Sequence, residues 1–318
     1  MRFTEKNRTV ALVSSLDSPE RIKWLSILNG NLQGAIVIDF AQMSEEQKQR
    51  CLVAIVANPD PADLLQLPKL QWVQSVWAGV ERLVGNLPPV LSIVRLVDPQ
   101  LAKTMAEAVL AWTLFIHRDI PAYAQAQRSA QWLQRDYVKP EDRRVSVLGL
   151  GELGRASCAA LQTAHFKVQG WSREPKTIAG VCSAYGLDGL RSLLSTTDIL
   201  ICLLPLTVQT KQILNSQTLA LLPQGAAIIN FSRGLIIDDQ ALRAGLDSGH
   251  ISHAVLDVFA TEPLPSNSWH WRHAGVTVTP HVSASTDYET ASAIVCANLD
   301  QYFASGEIPA AIDPIIGY

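Results

Sequence analysis

The sequence predicts an α/β protein built as two doubly wound parallel-sheet domains, and three observations predict it. Short apolar, β-branched runs alternate with stretches of helical spacing over residues 8–94; a second series of the same kind follows over residues 145–280; and a glycine-rich turn opens that second series. Strands buried on both faces read as continuous apolar runs, and parallel neighbours must be joined by crossovers that are usually helical, so this punctuation points to parallel sheets covered on both sides. A chain of 318 residues exceeds one typical core, and 48% hydrophobic residues are enough to fill two.

In the first series, strands are expected at residues 8–13 (RTVALV), 35–40 (AIVIDF), 52–57 (LVAIVA), 72–76 (WVQSV) and 91–94 (LSIV). A long helix-compatible stretch from about Ala102 to His117 carries Met105, Val109, Trp112, Leu114 and Ile116 and would bridge the domains. Six further strands are expected at 145–150 (VSVLGL), 167–171 (KVQGW), 198–204 (DILICLL), 226–231 (AAIINF), 253–259 (HAVLDVF) and 276–280 (VTVTP). Residues from about Ser285 to Tyr302 read as one more helix, whose Gly/Pro-containing tail has no partner of its own. That segment is expected to return to the first domain, giving one domain of residues 1–100 with 286–318 and another of 101–285.

The formal net charge of −3, from 26 basic and 29 acidic residues, provides no bulk attraction for nucleic acid or an anionic membrane, so neither is expected as a partner. Five cysteines, Cys51, Cys158, Cys182, Cys202 and Cys296, are an odd number without a CxxC pair, which argues against a disulfide framework and for a cytoplasmic home. His250, His253, His270 and His273 do not combine with cysteines or carboxylates at ligand spacing, so no metal is expected. The amino-terminal segment lacks the apolar core and cleavage site of a secretory leader, and no run is long enough to span a membrane.

The sharpest motif is Gly149-Leu150-Gly151-Glu152-Leu153-Gly154, directly after the strand VSVLGL and opening the helix-compatible run RASCAALQTA. In that setting GxGxxG is a dinucleotide fingerprint: Gly149 allows the tight turn, Gly151 lets the backbone approach a pyrophosphate, and Gly154 permits helix to pack on strand. The helix N-terminus adds N–H groups and partial positive charge. About 20 residues further on, where an NAD site usually places an acidic residue on the ribose, the chain reads Ser172-Arg173-Glu174-Pro175-Lys176. A hydroxyl at Ser172 with Arg173 and Lys176 nearby suits a 2′-phosphate, so NADP(H) is the expected cofactor, with NAD(H) also possible. The competing possibility is that Arg173 is a solvated loop cation and Glu174 turns inward.

Three fragments fall at the carboxyl ends of strands in the same half: NFSRG (230–234), DVFATEPL (257–264) and TPHVSAS (279–285). They offer a guanidinium at Arg233, a carboxylate at Glu262 and an imidazole at His281. Ligands of open α/β sheets bind at those strand ends. Together with VLGLGELG, WSR, CLLPLT (202–207), WAGVE (77–81) and MAEAVLAW (105–112), these fragments resemble the D-isomer-specific 2-hydroxyacid dehydrogenase family over essentially the whole chain, and within it look like the glyoxylate/hydroxypyruvate reductase A branch.

The resemblance implies two Rossmann-like domains with the active site in the cleft between them, residues 101–285 binding NAD(P) and the remainder binding substrate. It implies NADPH-linked reduction of a small 2-keto acid, His281 giving a proton to the carbonyl oxygen while Glu262 orients its ring. Arg233 would bind and polarise the substrate through a fork that lysine cannot reproduce. The matched positions make Asp257 the partner of the nicotinamide carboxamide, place Leu204 and Pro205 along the cofactor, and make Trp77, Ala78, Gly79 and Val80 the turn that receives the substrate carboxylate. The resemblance also implies a homodimer. Two alternatives stay open: a bulkier 2-keto acid as substrate, or a nucleotide-sensing regulator on the same fold. His117-Arg118 is read either as a rim or dimer element or as a helix-end charge on the macrodipole. Trp112, Trp132, Trp269 and Trp271 could line a substrate pocket or an interface, with core packing the default for most of them.

Overall fold

The computed structural model describes residues 8–313. The chain divides into two compact units, one running to Gln100 and resuming at Thr286, the other spanning Leu101–Ser285. In the first unit, β1 (Thr9–Ser14), β2 (Ile36–Asp39), β3 (Val53–Ala57), β4 (Trp72–Ser75) and β5 (Ser92–Val94) form one parallel sheet in the order β2-β1-β3-β4-β5. Its helices start where the side chain before them can cap free N–H groups. Asp17 accepts from Glu20 before α1 (Ser18–Asn31), Ser44 and Gln47 form a reciprocal box at α2 (Glu45–Arg50), and Asp60 accepts from Ala62 before α3 (Pro61–Leu64).

The last helix, α10 (Tyr288–Ser305), packs in this same unit. Val295, Leu299, Tyr302 and Phe303 join Leu12, Leu28 and Trp72 in one buried cluster, with the Tyr302 ring edge-on to Trp72 at 5.3 Å. Polar side chains set its register: Asn298 donates to Gln74 at 2.9 Å and the Tyr302 hydroxyl to Gln71 at 2.6 Å. A buried amide such as Gln74 tolerates only a partner of matching geometry, so these bonds resist sliding of the helix.

The second unit is a seven-stranded parallel sheet in the order β12-β11-β10-β9-β6-β7-β8. Its strands are β6 (Arg144–Leu148), β7 (Lys167–Ser172), β8 (Cys182–Tyr185), β9 (Ile199–Cys202), β10 (Ala226–Asn230), β11 (Ile251–Leu256) and β12 (Val276–Val278). The helices α4 (Pro99–His117), α5 (Ile120–Arg128), α6 (Glu152–Thr163), α7 (Gly186–Leu194), α8 (Ser216–Leu219) and α9 (Asp239–Asp247) complete it. Met105 and Val109 of α4 share a core with Val145, Val147 and Ile201. This is the doubly wound arrangement, with β6 at the point where the strand order reverses.

Strand β8 departs from the six-strand expectation. It pairs only with β7, at the sheet edge, and Cys182, Ser183 and Tyr185 are exposed. An edge strand with little to bury needs no apolar run, so periodicity carries no sign of it.

His253 sits inside β11 at 7% exposure, its Nε2 2.8 Å from the Thr277 hydroxyl. Burial, aided by the nearby His273, pushes this imidazole down from 6.5 to about 4. Between those values the unfolded chain binds a proton that the fold excludes, so the contribution of a neutral His253 is intact above the upper value and is lost as pH falls toward the lower, by at most about 3 kcal/mol. Thermal unfolding of His253→Gln should therefore show a shallower fall of Tm than the parent across that window. Equal slopes would mean that other groups control acid unfolding.

Candidate active site

The glycine loop joins β6 to α6, and its glycines answer to different constraints. Gly149 has φ +103°, and a Cβ there would lie 2.6 Å from the Leu203 carbonyl oxygen. A Cβ on Gly154 would run into the Gly149 carbonyl oxygen, whereas one on Gly151 would meet nothing within 4 Å. Gly151 is the N-cap of α6 and supplies no side-chain cap, so open space lies over a helix end whose first N–H groups carry no side-chain partner. Glu152 opens the helix on its exposed side, Leu153 is half-buried and Gly154 is buried. A narrow turn with bare amides at a helix N-terminus fits the pyrophosphate of a dinucleotide.

Beside this loop the end of β7 places Ser172, Arg173 and Lys176. Lys176 Nζ donates to the Leu150 carbonyl at 3.3 Å, which brings the cation to the glycine loop. Arg173 reaches Gln209 at 3.3 Å and Glu174 at 3.4 Å. Ser172 is only 6% exposed and its hydroxyl donates to the Glu174 carbonyl at 2.7 Å. In this arrangement the Ser172 hydroxyl shapes the turn, and no carboxylate stands at its position. After β9, Leu204 is buried, and the carbonyl of the half-buried Pro205 accepts from Thr210 at 2.6 Å.

The catalytic candidates lie on three loops after β10, β11 and β12. Asn230, at the end of β10, accepts from the Ser232 amide and hydroxyl and donates to the Arg233 carbonyl at 3.1 Å, shaping the turn that presents Arg233. The Arg233 guanidinium donates to the Ser232 carbonyl at 2.7 Å. A Cβ on Gly234 would collide with Phe259 and Ala260 backbone, so the Arg233 turn lies directly on the next loop. In that loop Glu262 Oε1 accepts from the Phe259 amide at 2.8 Å, and Oε2 lies 2.8 Å from His281 Nδ1. A carboxylate only accepts, so Nδ1 carries the hydrogen and Nε2 is left for proton transfer.

Asp257, which follows β11, is tied to the loop after β12. It is fully buried; Oδ1 accepts from the Thr279 hydroxyl at 2.6 Å and the Val282 amide at 2.8 Å, and Oδ2 from the Ser283 amide at 2.9 Å. Its carbonyl also accepts from the His281 amide at 2.9 Å. A carboxylate so enclosed organises the loop that carries His281. It holds His281 at φ +56°, a left-handed backbone that a non-glycine residue keeps only when neighbours enforce it. Asn230, Gly234 and Thr279 were not singled out from the sequence. The available signal was a polar residue or glycine at a strand end next to each candidate.

Trp77, Ala78 and Gly79 are half-buried and Val80 is buried in the bend after β4, in the first unit, with the Ser75 hydroxyl bonded to both the amide and the carbonyl of Trp77. His117 is 4% exposed beside Phe166, and burial, with Arg143 and Arg118 nearby, lowers its proton affinity, so the exposed charge at this helix end is Arg118. Trp132 is 93% exposed rather than packed, and Trp271 is half-exposed, while Trp112 is edge-on to Phe115 and Trp269 stacks on His270. Among the described residues no cluster of three or more His, Cys, Asp or Glu could hold a metal ion.

Residues 110–283 match the family model described as D-isomer specific 2-hydroxyacid dehydrogenase, NAD binding domain. The chain belongs to this family. It is 35% identical over 274 residues to a glyoxylate/hydroxypyruvate reductase A of Serratia proteamaculans, covering 83% of this chain and 87% of the relative. A family structure from Xanthobacter autotrophicus in complex with NADPH and MES matches with TM-score 0.90 at 36% identity, over 98% of this chain and 99% of the other. An NADPH-dependent glyoxylate/hydroxypyruvate reductase of Sinorhizobium meliloti, solved with NADP and sulfate, matches with TM-score 0.88 at 32% identity over the same shares. Family membership makes the chain an NAD(P)-dependent oxidoreductase.

For Asp257→Asn, an amide would face N–H donors it cannot satisfy, costing about 1–3 kcal/mol of stability. Displacement of His281 should lower kcat about tenfold to a hundredfold. Nucleotide affinity, measured by fluorescence titration, should stay within about twofold, because the glycine loop is untouched. Loss of nucleotide affinity at unchanged kcat would instead assign Asp257 to the cofactor.

Proposed function

We propose that this family member reduces a small 2-keto acid of the glyoxylate or hydroxypyruvate type with NADPH. The observation that carries the reading is the His281–Glu262 pair, at 2.8 Å and locked by backbone to the turn of Arg233. The relatives named for glyoxylate and hydroxypyruvate, and those solved with NADPH or NADP, support the substrate class and cofactor. Residues 101–285 are read as the cofactor domain and the remaining residues as the substrate domain.

Gly149, Gly151, Glu152, Leu153 and Gly154 would hold the pyrophosphate of NADPH, with Leu204 and Pro205 along the cofactor, which would supply the hydride for the keto carbon. Arg173 and Lys176 provide the cations for the 2′-phosphate. Arg233 receives the substrate carboxylate and keto oxygen in a forked geometry, stabilising negative charge as it develops on that oxygen. In the first unit, Ala78, Gly79 and Val80, beside Trp77, offer backbone N–H groups suited to a carboxylate. His281 Nε2 gives its proton to the oxygen, so hydride and proton together complete the 2-hydroxy acid, and Glu262 holds the ring and stabilises the imidazolium that precedes transfer.

Nicotinamide absorbance with NADPH or NADH and a panel of keto acids tests this. Glyoxylate or hydroxypyruvate should be reduced with NADPH in preference to NADH, and His281→Ala should lose roughly a hundredfold to ten-thousandfold in kcat. Preference for a bulky keto acid, or full activity in the variant, would defeat the assignment.

The protein is further read as a cytoplasmic homodimer. Its five cysteines are free, and no described helix is long and apolar enough to cross a membrane. Ile120, Leu133 and Tyr137 are exposed along with Trp132 around α5 and the segment after it, an apolar stretch suited to a second copy. Sedimentation should give twice the chain mass, and Trp132→Ser with Leu133→Ser should shift it toward monomer; a monomeric parent would exclude the dimer.

A further inference from the structure

The turn after β7 contains a charge that the proposed reaction does not use. Glu174 follows Arg173 directly, with Oε1 3.4 Å from the Arg173 Nη2, while the Nη1 of the same guanidinium lies 3.3 Å from Gln209 Oε1. The Glu174 side chain is 72% exposed, yet its backbone is held, because the buried Ser172 hydroxyl donates to the Glu174 carbonyl at 2.7 Å. Lys176, bonded to the Leu150 carbonyl, ties the same turn to the glycine loop. The carboxylate is therefore a built-in neighbour of the guanidinium.

We propose that Glu174 is a specificity-determining residue that moderates the preference for a 2′-phosphorylated nucleotide over its 2′-hydroxyl counterpart. The inference rests on the reading of Arg173 as the 2′-phosphate partner. A guanidinium binds phosphate best through a fork of two parallel N–H donors, and Glu174 competes for one of the nitrogens that would make it. A phosphate monoester carries close to two negative charges at neutral pH, so the adjacent carboxylate also opposes it directly. A 2′-hydroxyl carries no charge and can donate to a carboxylate, so the same residue does not penalise NADH. Exposed charges a few ångströms apart in a largely aqueous setting alter affinity by roughly three- to tenfold at low ionic strength. Glu174 thus sets the degree of selectivity while Arg173 and Lys176 set its direction.

The test is calorimetric binding of two nucleotide fragments, 2′,5′-ADP and 5′-AMP, to the full chain and to Glu174→Gln at low ionic strength. Glutamine removes the charge and keeps the backbone carbonyl that Ser172 requires, and the exposed position places no packing demand on it. The ratio of the 5′-AMP Kd to the 2′,5′-ADP Kd should rise roughly three- to tenfold in the variant, through tighter 2′,5′-ADP binding. A parent that prefers 2′,5′-ADP, with a ratio unchanged within about twofold in Glu174→Gln, overturns the role of Glu174 alone. A parent that binds 2′,5′-ADP no more tightly than 5′-AMP overturns the NADP reading, and the role of Glu174 with it.

Discussion

A carboxylate with no exposed surface must find protein donors for its lone pairs, and Asp257 finds them in the segment that carries His281. The Thr279 hydroxyl and the Val282 and Ser283 amides converge on its two oxygens. These bonds set the path of the loop and keep His281 in a left-handed backbone that an isolated chain would leave. The orientation of the ring toward Glu262, and hence the availability of Nε2, follows from that path. This fully buried carboxylate therefore acts on backbone geometry, next to the proposed chemistry.

Close backbone approach transmits this order to the other candidates. Gly234 lets the turn of Arg233 rest on the Phe259–Ala260 backbone, and the Phe259 amide in turn anchors Glu262. A side chain at position 234 would separate the guanidinium from the acid–base pair. The same device recurs at the glycine loop, where Gly149 lies against Leu203 and Gly154 against Gly149. Proton transfer and substrate polarisation both depend steeply on position, so a site made of backbone contacts and bidentate carboxylates needs little side-chain reorganisation when substrate binds.

At the nucleotide end the balance differs. Half-buried Arg173 and exposed Glu174 are paired with each other at 3.4 Å, and an interaction so open to water is weak. A weak pair with one exposed member suits a site that must exchange partners with an arriving anion, whereas the buried Asp257 network suits one that must not move.

The sequence by itself determined the two parallel α/β series, the glycine loop and the identities of Arg233, Glu262 and His281, because buried strands, tight turns and acid–base chemistry each demand particular residue types at particular spacings. Strand β8 was illegible because an exposed edge buries too little to leave a pattern. The burial of His117 and the exposure of Trp132 were equally hidden, since residue type predicts neither when neighbours from distant segments decide what is covered. The working partners of Asp257 and Ser172 also belong to the tertiary structure alone. Their positions in the chain left those partners open, and only the folded path of residues 279–283, and of the turn at Glu174, shows which groups they meet. Which donors reach a polar group is fixed by three-dimensional proximity, and a linear spacing does not encode it.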